Sequence, residues 1–193
     1  MRTGVCQRKT KETDVKVAVN LDSYEPCKIN TGIGFFDHML ELFAFRAHCY
    51  LEIEAEGDLH IDNHHTVEDI GICIGQALKT ALGDKAGIAR YGVAWVPMDE
   101  SLIQCVLDIS GRGLLVYNAE LPSHVVGGFE TELVEEFFQA VAHNAGVTLH
   151  INMAYGRNTH HIVEGMFKAF GNALAQAIEK TGQSIPPSTK GVL

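Results

Sequence analysis

The sequence predicts an α+β fold: a single domain, 1–193, built from an internally duplicated unit, with helices layered against two mostly antiparallel sheets. Three observations carry that expectation. His64-His65-Thr66-Val67-Glu68 recurs as His160-His161-Ile162-Val163-Glu164, an offset of 96 residues. The same offset carries an apolar stripe, with Ile70, Ile74, Leu78 and Leu82 mapping onto Met166, Phe170, Leu174 and Ile178. Finally, strand-like segments are grouped ahead of a helix–strand–helix unit in each half, and no linker separates the halves. The repeats run over about 8–91 and 92–182, with a tail at 183–193.

In chain order, Val15–Leu21 and Ile29–Thr31 read as strands, Phe36–Ala47 as a helix, and His48–Glu56 as a strand with Leu51, Ile53 and Ala55 alternating. Apolar residues every fourth position then make each His-His-x-x-Glu the opening of a helix of about five turns. Asn63 and Asn158-Thr159 supply capping residue types just ahead of the two motifs. In the second half Gly92–Val96, Leu102–Ile109 and Leu114–Asn118 read as strands, Thr131–Ala145 as a helix and Val147–Ala154 as a strand.

Composition narrows the function. The chain is 46% apolar and 20% charged, so it can bury a core and is not a disordered polyelectrolyte. A formal charge of −9 argues against nucleic acid as a partner, which needs a basic footprint. An anionic small substrate stays open, because a few basic residues can dominate a cleft. The polar start, Met-Arg-Thr-Gly-Val-Cys-Gln-Arg-Lys, is unlike a signal peptide, and no run approaches the roughly 18 apolar residues of a membrane span. Five cysteines, an odd number without a C-x-x-C pair, read as reduced thiols. A cytoplasmic protein is expected, with no membrane partner.

The repeated motif carries the chemistry. Residues i, i+3 and i+4 share a helix face, so His64 and His65 can approach Glu68, and His160 and His161 can approach Glu164. Adjacent histidines diverge by about 100°, which lets one pair serve two ions. Nitrogen and oxygen donors without thiolate suit Mn, Fe, Co, Ni or catalytic Zn. A single copy could be a helix start with incidental histidines; two copies in register favour metal binding. His38, beside Asp37, is a further ligand candidate. Arg112, in Ser110-Gly111-Arg112-Gly113, could present its guanidinium to a phosphate, joined by Arg90, Lys168 and Lys190. Glu12 lies in a polar leader and reads as solvent-exposed. A phosphate-releasing dinuclear hydrolase and a metal-storage shell are the alternatives open at this level.

The segments Gly32-Ile33-Gly34-Phe35-Phe36-Asp37-His38-Met39-Leu40, Asp62–Asp69, Ser110-Gly111-Arg112, Thr148–Ile151, Asn158–Glu164 with Phe167–Phe170, and Ser188-Thr189-Lys190-Gly191 resemble the imidazoleglycerol-phosphate dehydratase family. That resemblance runs from about Arg8 to Gly191. It implies a duplicated α+β fold, two Mn²⁺ per active site, a small phosphorylated imidazole as substrate, and a homo-24-mer with sites between subunits. The implied metal ligands are His38, His64, His65, Glu68, His160, His161 and Glu164. Glu136, where many relatives carry histidine, joins them as a carboxylate donor. Arg90, Arg112, Lys168, Ser188, Thr189 and Lys190 resemble the substrate-phosphate set, and Glu12, Glu68 and Glu164 are the carboxylates expected to act in catalysis. Arg46 stands where histidine is common, and Asn63 where aspartate is common.

Overall fold

Residues 1–191 are described by a computed structural model. The first half runs β1 (Thr3–Lys9), β2 (Thr13–Asn20), β3 (Lys28–Asn30), α1 (Gly34–Ala47), β4 (Tyr50–Gly57) and α2 (His64–Leu82). The second runs β5 (Tyr91–Met98), β6 (Ser101–Asp108), β7 (Leu114–Asn118), a small hairpin β8 (Val125–Val126) and β9 (Phe129–Glu130), then α3 (Leu133–Ala145), β10 (Thr148–Tyr155) and α4 (Thr159–Ala177). The two large sheets share one topology, β1-β2-β4-β3 and β5-β6-β10-β7. In each, the last pair is parallel and the others antiparallel.

Each sheet has one buried face. Val15, Val17 and Val19 of β2 and Leu51, Ile53 and Ala55 of β4 point into the core, as do Ile103, Cys105 and Leu107 of β6 and Leu149 and Ile151 of β10. Helix α2 lies on β1 and β2, and α4 lies on β5 and β6. The halves then interlock, because α1 packs on α4 and α2 packs on α3. Between them runs a seam of phenylalanines: Phe43 of α1 stacks on Phe170 of α4 at 4.9 Å, and Phe36 of α1 meets Phe137 of α3 edge-on at 5.2 Å. One core therefore serves both repeats, and neither half could bury its helices alone.

The structure also departs from the sequence reading. The polar leader is strand β1, paired to β2 from Thr3↔Asn20 to Lys9↔Asp14, so the first repeat begins ahead of Arg8. Asn63 does not cap α2; its amide donates to Glu130 Oε2 (2.7 Å) and to the Gly128 carbonyl, while Asp62 Oδ1 accepts from the His64 N–H at 2.8 Å. Asn158 does cap α4, accepting from the His161 N–H at 3.2 Å. Asp37 does not orient His38. It accepts from the Thr31 N–H and hydroxyl, closing the loop into α1. The five cysteines are free thiols, and among the described residues no helix is long and apolar enough to cross a membrane.

Candidate metal centre and active site

The paired helices run in step. Gly71 of α2 meets Phe137 and Ala140 of α3, and Gly75, one turn later, meets Val141 and Ala145. Gly171 of α4 meets Phe43 and Ala47 of α1 in the same sense. Helix N-termini, where the motifs begin, are thereby gathered at one end of each pair.

At the start of the α1·α4 pair, His38, His160 and Glu164 bring one ligand atom each to within 4.8 Å of one another. His160 Nε2 is 3.1 Å from Glu164 Oε2, and His38 Nε2 is 3.8 Å from the same oxygen. Glu164 is 7% exposed. Burial alone would raise its pKa, but the Lys168 ammonium, 2.5 Å from Oε1, and then His160 outweigh that and hold the carboxyl below its usual value. Phe35 sets its ring edge against His160 at 5.3 Å, an apolar wall on one side of the cluster. Two imidazole nitrogens and an ionised carboxylate fit a divalent cation of borderline to hard character.

The α2 motif reproduces the ring geometry. His64 and His65 are perpendicular at 6.1 Å, as His160 and His161 are at 6.2 Å. His65 Nδ1 is 2.9 Å from Asp58 Oδ2, and His161 Nδ1 is 2.8 Å from Glu100 Oε2. Each carboxylate raises the pKa of its histidine, Glu12 adding to Asp58 at His65. An acceptor on Nδ1 fixes the proton there and leaves Nε2 as a lone-pair donor, the arrangement a metal-binding imidazole needs. Asp58 and Glu100 were not visible as site residues in the sequence.

Within the described residues, His64, His65, Glu68, His161 and Glu136 join no cluster of the His38–His160–Glu164 kind. Glu136 is exposed on the first turn of α3. Helices α1 and α3 both end in a left-handed cap, His48 and Gly146, and aligning those caps sets Glu136 at the position of His38. The frame thus offers two equivalent places, one filled by imidazole and one by carboxylate.

Glu12 sits in the turn between β1 and β2, exposed, with its N–H on Thr10 Oγ1 and its carbonyl accepting from the Asp58 N–H. Buried Asp69 of α2 anchors that hairpin by accepting from Arg8 Nε at 2.6 Å and from the Thr13 hydroxyl. The leader is therefore held beside the α2 motif rather than loose. Arg90 donates to Asp108 (2.7 Å) and to the Pro187 carbonyl (3.0 Å), which ties the C-terminal tail alongside it. The tail turns at Ser188, whose hydroxyl accepts from the Lys190 N–H, and Thr189 and Lys190 are exposed there. Arg112 is exposed in the turn after β6, and Lys168 lies against Glu164.

This frame and this site set the chain among duplicated α+β proteins that carry a histidine–carboxylate cluster of metal-binding type. A family model described as imidazoleglycerol-phosphate dehydratase matches residues 31–174. The imidazoleglycerol-phosphate dehydratase of Desulforamulus reducens is 60% identical over the whole chain and 98% of its own length. That of Streptococcus sanguinis is 55% identical, covering 100% of this chain and 96% of its own. The crystal structure of the Staphylococcus aureus enzyme superposes with a TM-score of 0.85 at 47% identity, covering 92% of this chain and 99% of that one. The Pyrococcus furiosus structure gives 0.85 at 37% identity, covering 97% and 100%. The chain belongs to the imidazoleglycerol-phosphate dehydratase family, enzymes of histidine biosynthesis.

Proposed function

We propose that the chain dehydrates imidazoleglycerol phosphate to imidazoleacetol phosphate with Mn²⁺ as its cofactor, two ions per active site. The observation that carries the metal reading is the convergence of His38, His160 and Glu164 from opposite halves of the chain. His64, His65, Glu68, His161 and Glu136 complete the ligand set by facing sites that a neighbouring subunit closes, in a homo-24-mer working in the cytoplasm.

The difficulty of the reaction dictates the parts. The proton removed sits on a carbon with no adjacent carbonyl, so the substrate's imidazole must first push electrons out to expel the hydroxyl on its own side-chain carbon, which leaves as water with a proton from a general acid, and then take back the electron pair freed when the carbon proton is removed. Held by these histidines and carboxylates, divalent cations would supply the positive charge that favours the imidazolate form of the ring. The chain supplies the rest. Glu12, on an anchored turn and with no partner of its own for the carboxylate among the described residues, takes the carbon proton, giving an enol that tautomerises to the ketone. Glu68 and Glu164 hold negative charge beside the reacting end. Arg90, Arg112, Lys168 and the Ser188-Thr189-Lys190 turn grip the phosphate and contribute orientation rather than bond-making.

The test is a dehydration assay on protein stripped with chelator, with absorbance of the enolised ketone read before and after Mn²⁺ is restored. Product only after restoration, without phosphate release, is the expected outcome. Phosphate release would favour a dinuclear hydrolase. Bound metal with no product from an intact assembly would favour a storage shell.

A further inference from the structure

The two β-hairpins that flank the metal motifs are counterparts. Strand pairs Arg8↔Val15 and Val96↔Ile103 occupy equivalent places in β1–β2 and β5–β6, which sets Glu12 and Glu100 at the same position of their turns. Their side chains have opposite fates. Glu12 is exposed, whereas Glu100 accepts four hydrogen-bonding contacts. Its Oε1 takes the Asn158 N–H (2.7 Å), the Arg157 N–H (3.2 Å) and the Ser101 hydroxyl (3.0 Å), and its Oε2 takes His161 Nδ1 at 2.8 Å.

The first half divides those duties. Asp58 holds the His65 ring, and Asp69 anchors the hairpin through Arg8 and Thr13. At the place of Asp69 the second motif has Gly165, where a Cβ would already press on Ile103 at 2.8 Å. No carboxylate fits there, so the turn residue must serve both as hairpin anchor and as ring partner.

We infer that Glu100 is a positioning residue: its carboxylate locks the β5–β6 turn onto the start of α4 and selects the His161 tautomer whose Nε2, with the exposed Asp99 Oδ2 3.7 Å away, carries the lone pair for a metal ion. This rests on the metal reading above. An ionised carboxylate only accepts, so the imidazole proton sits on Nδ1. A glutamine has one acceptor where glutamate has two. With its oxygen on the Asn158 and Arg157 amides, its NH₂ faces Nδ1 and moves the proton to Nε2, blocking the donor atom.

The experiment compares wild type, Glu100→Gln, Glu100→Asp and Asp58→Asn as whole metal-free proteins titrated with Mn²⁺. Free ion is read by paramagnetic resonance, and ring tautomers by ¹⁵N shifts of the histidines. Glu100→Gln should weaken Mn²⁺ binding by about 10- to 100-fold with His161 protonated on Nε2. Glu100→Asp, which keeps two acceptor oxygens, should recover part of the affinity, and Asp58→Asn should reproduce the defect at His65. Wild-type affinity in Glu100→Gln overturns the inference. So does a wild-type His161 protonated on Nε2, a reading that needs no variant to fold. Wild type that takes up no Mn²⁺ overturns the metal reading itself, a result distinct from a defect confined to the variant.

Discussion

His38 Nε2 of α1 and Glu164 Oε2 of α4 stand 3.8 Å apart across the seam between the two repeats. Neither half carries this cluster alone, so metal binding reports on the packing of α1 against α4. His38 is exposed, with half of its side chain open to solvent. His38→Ala should leave the melting temperature of the metal-free protein within about 0.5 kcal/mol equivalent of wild type. It should weaken Mn²⁺ binding by about a hundredfold, since outer partners of a ligand are already worth about 10- to 100-fold. Isothermal titration of stripped protein with Mn²⁺ checks it; unchanged affinity would remove His38 from the ligand set.

Glu12 separates chemistry from metal binding. It lies on a turn pinned by Asp69, near enough to add to the rise in the His65 pKa, yet its carboxylate is bound to no other group among the described residues. Glu12→Gln should therefore take up Mn²⁺ as wild type does while kcat falls by about 10²- to 10⁴-fold and KM changes little. Product absorbance and bound-metal content, measured on the same sample, decide it. Near-normal turnover would exclude Glu12 as the base.

Much of this was legible because duplication doubles a weak signal. The α2 and α4 motifs share an offset of 96 residues and carry a helical stripe, so both helices and both sets of donors could be read directly. Strand β1 could not. Its inward positions near α2 are Gly4 and Cys6, too small to print an apolar alternation, and Gln7, Arg8 and Lys9 make it look like a leader. The equivalences His38 with Glu136 and Glu12 with Glu100 were hidden for another reason. The repeats slip against one another at the helix caps and again at the hairpin turns, so a single offset misses both. Asp58 and Glu100 became visible only when tertiary packing set them on Nδ1 of their histidines.

Gly4 and Gly92 show what the duplicated frame demands. A Cβ at Gly4 would lie 1.9 Å from the Ala77 carbonyl oxygen, and one at Gly92 would lie 1.8 Å from that of Ala173. In both repeats, then, a strand approaches the backbone of its covering helix too closely for any side chain. The obstacle is backbone, so no rotamer change relieves it. Gly92→Ala should cost about 3 kcal/mol, at the upper end of overpacking penalties, and Gly4→Ala a similar amount. Urea denaturation of the metal-free proteins measures both. A loss below about 0.5 kcal/mol at either site would mean that strand and helix separate more easily than this packing allows.

Asp22 ties the start of β1 to the end of α4, and its titration should be readable in stability. Oδ1 accepts from Arg2 Nη2 at 2.9 Å and from Lys180 Nζ at 3.0 Å, Oδ2 accepts from the Arg2 N–H at 2.8 Å, and Arg2 Nη1 reaches the Ile178 carbonyl at 2.6 Å. The Arg2 side chain, more than any other group, holds the Asp22 carboxyl well below the usual aspartate range. A carboxyl whose folded pKa is depressed stabilises the native state at every pH above its unfolded value, near 4, and that contribution drains away as pH falls toward the folded value. Asp22→Asn should therefore be less stable than wild type by about 1 kcal/mol at pH 7, a magnitude set by the pair's partial exposure. The gap should hold at pH 5 and narrow progressively below pH 4, because only the wild type has a charge to lose. Denaturation midpoints of the two metal-free proteins at pH 7, 5, 4 and 3 test the sign. A gap that stays constant down to pH 3 would assign the effect to hydrogen bonding and packing rather than to the ionised carboxylate.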